Sequence, residues 1–344
     1  GDVYKRQDQE RLIHALNFCM LLPGPEAMQL ATYCGWAAKG WRGGLLAGLL
    51  FVLPGAAVML VLSALYVAFG HVDVVAGLLF GLKAAVLAIV FEALYRMARR
   101  TLASGFSYAV AVLAFMAVAF LKLPFPLVVA LAALAGGARY WLLRDGHGIA
   151  HGAVGANAMR VATQQALIWG ALWLLPLLAL YLVFGGQHVF TTEAAFFSKL
   201  AAVTFGGAYA ALSYTAQQAV EHFGWMKPGE MLTGLGLAET TPGPLILVLV
   251  FVGFVGASNL SGLPPLLGGF FGGLIALWFT FVPCFLWIFA GAPFLERLRK
   301  VRWLSAMLGG ITAAVVGVIA NLALWFSLHV LFGKVVDHQI GPVT

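Results

Sequence analysis

A helix of about 20 apolar residues is long enough to cross the hydrocarbon of a bilayer. Eight stretches of this 344-residue chain are apolar over about that length: Gly43–Gly70, Val74–Tyr95, Phe106–Leu121, Phe125–Leu143, Ala166–Phe184, Ala194–Ala211, Leu266–Ala290 and Ser305–Phe332. Two more are apolar but interrupted, Leu12–Trp36 by Pro23-Gly24-Pro25 and Glu230–Ala257 by Pro242-Gly243-Pro244. The pattern predicts an all-α, polytopic transmembrane protein with about ten membrane-embedded segments, and the lipid bilayer as its solvent.

Composition excludes the soluble alternatives. Charged residues are 10% of the chain and hydrophobic ones 62%, whereas a water-soluble domain carries about 25% charged residues. The net charge of +7 does not point to nucleic acid. The basic residues cluster beside apolar runs, as Arg96, Arg99 and Arg100 and as Arg297, Arg299, Lys300 and Arg302, which is the pattern that orients helices in a membrane. Cys19, Cys34 and Cys284 all lie in apolar segments and read as small packing residues. His147 and His151 lie among glycines, with no cysteine near and Asp145 as a lone acidic neighbour, so no metal site is expected. No cofactor motif or nucleophile–base pair is visible, and no enzyme is expected.

The chain repeats itself. Pro23-Gly24-Pro25 returns as Pro242-Gly243-Pro244, 219 positions on; Gly43-Gly44, Pro54 and Gly81–Val86 return as Gly272-Gly273, Pro283 and Gly310–Val315, each 229 positions on. With the basic loops placed inside, the matching helices enter the membrane in opposite directions. The prediction is an inverted repeat of two homologous halves with helices broken at Pro-Gly-Pro, a recurrent plan of secondary transporters. Residues 8–143 form the first half, 144–164 a polar glycine-rich linker, and 165–344 the second half.

The two breaks are the strongest candidates for a site. Proline has no N–H and clashes with the preceding turn, and broken backbone at membrane depth survives only where it is buried in protein or lines a watery cavity. A helix restarting there aims free N–H groups and the positive end of its dipole at an anion. The expected binding residues are Pro23, Gly24, Pro25, Glu26 and Gln29 at the first break, and Glu239, Thr240, Thr241, Pro242, Gly243 and Pro244 at the second. Lys83, midway along an apolar segment, is expected to face the interior and supply positive charge. Gly206 and Gly207 permit close approach of a backbone or a ligand. Glu92 reads as an interfacial partner of Arg96, one turn away. Asp73, Glu193 and Glu221 read as loop or membrane-surface residues. Gly268-Gly269 and Gly272-Gly273 read as helix packing.

These residues resemble a known family. Leu22-Pro23-Gly24-Pro25-Glu26-Ala27, Gln29-Leu30-Ala31-Thr32-Tyr33 and Gly35-Trp36 are similar to the first-half signature of the chromate transporter family. Lys199-Leu200, Thr204-Phe205-Gly206-Gly207-Ala208-Tyr209, Gly224-Trp225, Glu230 and Ala238-Glu239-Thr240-Thr241-Pro242-Gly243-Pro244 resemble its second half. The likeness runs from about Gln9 to the end. It implies export of chromate, a tetrahedral dianion like sulfate, across the bacterial inner membrane, with coupling to the proton gradient as the usual proposal and chromate resistance as the outcome. Glu26 or Glu239 is the expected proton carrier, and a homodimer is compatible with the reading. The family's first half opens with a helix carrying its own Phe-Gly-Gly-Pro motif. No such helix precedes Asp8, so the chain is expected to start inside the first half, with Gly1–Gln7 foreign to it.

Three alternatives stand beside this one. A carrier of sulfate or another small oxyanion shares the motifs. A membrane-embedded enzyme would need clustered His, Asp or Glu at a membrane surface. A non-transporting membrane protein would leave the matched breaks and Lys83 without a purpose.

Overall fold

The computed structural model describes residues 19, 22–143, 156–205, 207–291, 294 and 302–332. Gly206, His147, His151, the first part of the expected linker (144–155), most of the basic stretch 295–301 and the polar start of the chain fall outside the described residues. Within them every regular element is helical. In chain order these are α1 (Glu26–Phe69), α2 (Asp73–Thr101), α3 (Gly105–Ala119), α4 (Phe125–Leu142), α5 (Ala156–Phe184) and α6 (Val189–Val203). Then come α7 (Ala208–Ala216) with a π-helical end (Gln217–His222), α8 (Pro228–Thr240), and α9 (Val248–Leu260), which opens with a 3-10 turn (Leu245–Leu247). The last two are α10 (Pro265–Gly291) and α11 (Arg302–Leu331). Helices α1, α2, α4, α5, α10 and α11 are long and apolar enough to cross a membrane; α3 and residues 245–260 are apolar but shorter. The chain is a multi-pass membrane protein. Helix α5 begins at Ala156, inside the stretch read as linker from its polar residues.

Local sequence explains the helix limits. Ser104 caps α3 by accepting the Ser107 N–H at 3.3 Å, and the Ser107 hydroxyl accepts the Ser104 N–H at 3.0 Å, a reciprocal pair that satisfies two orphan donors. Pro124 and Pro25 stand just before α4 and α1. Helix α1 is two limbs, because Lys39 (φ −141°, ψ 29°) and Gly40 (φ 63°, ψ −156°) leave helical geometry. Gly35 meets the Gly43 carbonyl and Gly44 meets Thr32, contacts that a straight helix cannot make, so residues 26–38 fold back on residues 41–69. The short limb spans about 20 Å at 1.5 Å per residue, too little to cross about 30 Å of hydrocarbon.

Two more hairpins are built from short helices. Helices α6 and α7 fold together, with Phe196 against Tyr214 at 5.4 Å between ring centroids. Their tip lies at residues 204–207, where the apolar segment Ala194–Ala211 is not one helix as expected but two. The cause is local: Gly207 takes φ 100°, which ends helical geometry. Helices α8 and α9 fold together through Gly234 and Phe251, with their tip at Thr241–Pro244.

Two long helices organise the bundle. Helix α10 packs against α1, α5, α6 and α9, while α11 packs against α2, α3, α4, α7 and α8. Small residues let backbones approach: Gly253 meets Gly272 between α9 and α10, and Gly310 meets Ala132 between α11 and α4. The expected packing role of Gly268, Gly269, Gly272 and Gly273 agrees with their contacts on Ala257, Phe254, Gly253 and Leu60. The long limb of α1 runs antiparallel to α10, with Gly44 against Phe289, Gly48 against Phe285 and Leu60 against Gly273.

Because α3 returns the chain between them, the C-termini of α2 and α4 share one face of the bundle. Arg96, Arg99 and Arg100 mark it on α2 and Arg139 on α4, the latter stacked over Phe106 at the start of α3 at 4.7 Å. This is the basic face. The α5–α6 connection lies on the opposite face.

Candidate functional site

The three tips meet inside the bundle. The Gly24 N–H donates to the Thr204 carbonyl at 2.8 Å, which joins the first Pro-Gly-Pro to the α6–α7 tip. The Tyr209 hydroxyl donates to Glu239 Oε1 at 2.7 Å, which joins that tip to the end of α8. Gly24 is buried at φ 108°, a conformation natural to glycine, and a Cβ there would stand 2.9 Å from the Cys284 sulfur. Gln29 is fully buried and its Nε2 donates to the Pro23 carbonyl at 2.6 Å. Gln29 therefore holds the break in shape from behind.

A cavity of about 470 Å³ opens where the tips meet. Glu26 from α1, Phe205, Gly207 and Tyr209 from the α6–α7 tip, and Glu239 from α8 form one side. The basic-face half of α2 forms another, with Glu92, Arg96 and Arg100, and α11 contributes Thr312. The cavity thus runs from the tips toward the basic face. The short limb of α1 and helix α7 both start at it, at Glu26 and after Gly207. The first N–H groups of each helix have no partner within it, so two positive helix ends converge there.

Charge is finely divided in this space. Arg96 pairs with Glu92 along α2, as the one-turn spacing suggested. Arg100 lines the same cavity as Glu26, and Arg96 and Glu92 the same cavity as Tyr209. Two cations and three carboxyls therefore share the cavity. A dianion entering it meets both guanidiniums and two helix N-termini, and is repelled by any carboxyl that stays ionised.

Of the residues expected from the sequence, Glu26, Gly207 and Glu239 line the cavity. Pro23, Gly24 and Pro25 form the break behind Glu26. Thr240 and Thr241 lie at the end of α8, but their hydroxyls donate to the Leu237 carbonyl at 3.0 and 2.7 Å. They close their own helix. Pro242, Gly243 and Pro244 pack on the long limb of α1, where Gly55 meets the Pro242 carbonyl. Lys83 is not at the cavity: its Nζ lies beside Gly229 at the start of α8. Glu193, read as a surface residue, is fully buried in α6. That reading failed because proximity to a helix start does not distinguish the lipid surface from a helix–helix seam.

The sequence reading missed Arg96, Arg100 and Tyr209 as cavity residues. The two arginines had been absorbed into the orienting basic cluster, although their spacing of four places both on one stripe of α2. Among the described residues no three His, Cys, Asp or Glu side chains gather as a metal site.

Comparison with known proteins gives the family. A family model described as "Chromate transporter" matches residues 2–137 and 191–340. A chromate transport protein of Pseudomonas aeruginosa is 34% identical over 328 residues, 92% of this chain and 74% of the relative. A chromate transport protein of Cupriavidus metallidurans is 28% identical over 313 residues, 89% of this chain and 70% of the relative. An uncharacterized transporter of Methanocaldococcus jannaschii is 22% identical over 333 residues, 96% of this chain and 78% of the relative. No solved structure matches. The chain belongs to the chromate transporter family.

Proposed function

We propose that this chain carries chromate out of the bacterial cytoplasm across the inner membrane, through the cavity at the meeting of its three tips. The observation that carries the reading is the cavity itself, where Arg96, Arg100 and two helix N-termini converge at broken backbone inside a membrane protein. Free N–H groups and guanidiniums suit the oxygens of a tetrahedral anion. The relatives named for chromate transport support the choice of anion. Sulfate is nearly isosteric with chromate, and the cavity favours neither.

The packing supports an inverted repeat and alternating access. The contact of Gly44 with Phe289 and that of Leu60 with Gly273 are mates under the repeat of 229 positions. Gly24 against Cys284 and Gly243 against Gly55 are mates in the same way, since each Pro-Gly-Pro lodges beside the interior proline of the other half's helix. Such exchange relates two states that open to opposite faces. The present state opens toward the basic face, which the positive-inside tendency places in the cytoplasm.

The carboxyls set the sign of proton linkage. A proton on Glu26 or Glu239 removes negative charge beside the anion, so proton and anion favour one another. One dianion with one proton still carries net negative charge outward, which an inside-negative potential assists by about 2.3 kcal/mol per charge per 100 mV. Lys83 remains a candidate for an approach site beside α8, away from the cavity.

Radiolabelled chromate uptake into everted, respiring vesicles tests the reading, with sulfate as competitor. Accumulation that collapses with valinomycin and potassium but rises with nigericin is expected. No accumulation by correctly inserted protein sinks the chromate reading. Accumulation blocked by an equal concentration of sulfate moves the assignment to a general oxyanion carrier.

A further inference from the structure

We infer that Glu193 is a proton-binding site on the face opposite the cavity, and that its proton holds the α6–α7 hairpin against α9. Three observations converge on it. Glu193 is fully buried, and neither carboxyl oxygen has a hydrogen-bond partner. It occupies a shaped socket: a Cβ on Gly256 of α9 would stand 2.8 Å from Glu193 Oε1 and 3.1 Å from Trp225. The lack of a side chain at Gly256 thus makes the room that the carboxyl fills. Trp225 closes the socket within an aromatic box, 5.5 Å from Phe196, 6.0 Å from Phe197 and 4.5 Å from Phe223 between ring centroids.

Among the described residues no charge offsets an ionised Glu193. Helix α6 carries Lys199, which lies by Tyr214, and His188 just before it caps α6 at Phe190. The other elements packed on α6 are α5, α7, α9 and α10. Their titratable or charged residues are Arg160 and Tyr181 on α5, Tyr209 and Tyr214 on α7, Cys284 on α10 and none on α9. Glu221, His222 and Lys227 flank the segment that holds Trp225. None of these donates to the Glu193 carboxyl, and an unpaired carboxylate in an apolar socket is strongly disfavoured. The carboxyl therefore stays in place while it carries a proton. Once the proton leaves, the carboxylate needs water, and water reaches it only if α6 parts from α9.

The site is linked to the cavity by one rigid element. Eleven helical steps, roughly 16 Å at the helical rise, lead along α6 from Glu193 to Thr204 at its end, whose carbonyl holds Gly24. Loss of the proton on one face thus loosens the tip that walls the cavity on the other. This second step rests on the transport reading; proton binding at Glu193 does not.

Hydrogen–deuterium exchange of the protein in lipid nanodiscs, followed against pH and corrected for intrinsic rates, tests the inference without any substrate. In the wild type, exchange in residues 189–203 and 248–260 is expected to rise several-fold as pH increases. Glu193→Gln, which keeps the shape and cannot ionise, is expected to lose that rise. An unchanged rise in Glu193→Gln overturns the inference, as does a wild type with no rise at all. If Glu193→Gln does not fold, Glu193→Asp serves, and must keep a pH-dependent rise with a displaced midpoint; a midpoint equal to the wild type's counts against the site. Added chromate is expected to shift the wild-type midpoint. A rise that depends on Glu193 but ignores chromate retains the proton site and refutes the anion assignment.

Discussion

The two Pro-Gly-Pro segments share a sequence and not a situation. In the first, Gly24 is buried, its N–H is held by Thr204, and Gln29 braces the break from behind. The carboxyl that follows it, Glu26, stands at the start of a helix and in the cavity. In the second, Pro242 and Gly243 are exposed, the carboxyl precedes the break, and Glu239 closes a helix. Thr240 and Thr241 spend their hydroxyls on that helix's last turn, and the next begins as a tight 3-10 turn. The first break offers the cavity a positive helix end and the second a negative one. The lesson is that two segments alike in sequence can differ in burial, partners and helix polarity within one structure.

Substitutions at matched positions should break or sharpen this contrast. The largest effect is expected for Gly24→Val. It forces a branched side chain to φ 108° against Cys284, at a cost of about 3 kcal/mol or more from strain and overpacking together. The same change at Gly243, φ 121° and exposed, meets the end of the Leu247 side chain at 3.0 Å rather than a buried sulfur, and should cost less, about 1–2 kcal/mol, mainly from backbone strain. Thermal melts in detergent compare the two, and equal losses would mean that the first break is not specially engaged. Next, Arg100→Gln removes one charge-assisted contact worth about 1.5–3 kcal/mol, so chromate affinity should fall roughly tenfold to a hundredfold. Lys83→Gln should weaken it less. The reverse order would move the anion to the start of α8. Tyr209→Phe deletes one hydrogen bond to Glu239, worth about 0.5–1.5 kcal/mol, and should change affinity by less than about tenfold. Smallest is Thr241→Val. Its hydroxyl already serves Leu237, so transport should stay within about twofold of wild type and stability within about 1 kcal/mol. A total loss there would show that the hydroxyl turns toward the anion during the cycle.

Much of this was legible without coordinates. Apolar run length located the crossing helices because lipid forces every backbone group into internal pairing. The breaks were visible because proline leaves a mark that context rarely erases. Three things escaped. The fold-back at Lys39-Gly40 turns on two residues of ordinary type. The division of Ala194–Ala211 depends on the backbone of one glycine. Glu193 and the α2 arginines were misjudged for one reason. The hydropathy of a segment tells how deep a charge lies, and only the neighbours of the helix tell whether that charge faces lipid, cavity or seam. That the Thr240 and Thr241 hydroxyls serve Leu237 here was not legible, because a threonine near a helix end serves backbone and ligand equally well on paper.

The antiparallel lodging of α1 against α10 bears on the energy landscape. On the inverted-repeat reading proposed above, contacts that are mates, such as Gly44 with Phe289 and Leu60 with Gly273, exchange places when one helix slides past the other. The two end states then rest on nearly the same set of contacts, so they form two wells of similar depth. A bias of only about 1.4 kcal/mol shifts such a pair tenfold in population. On that reading a single proton or one charge in the membrane field is enough to supply it.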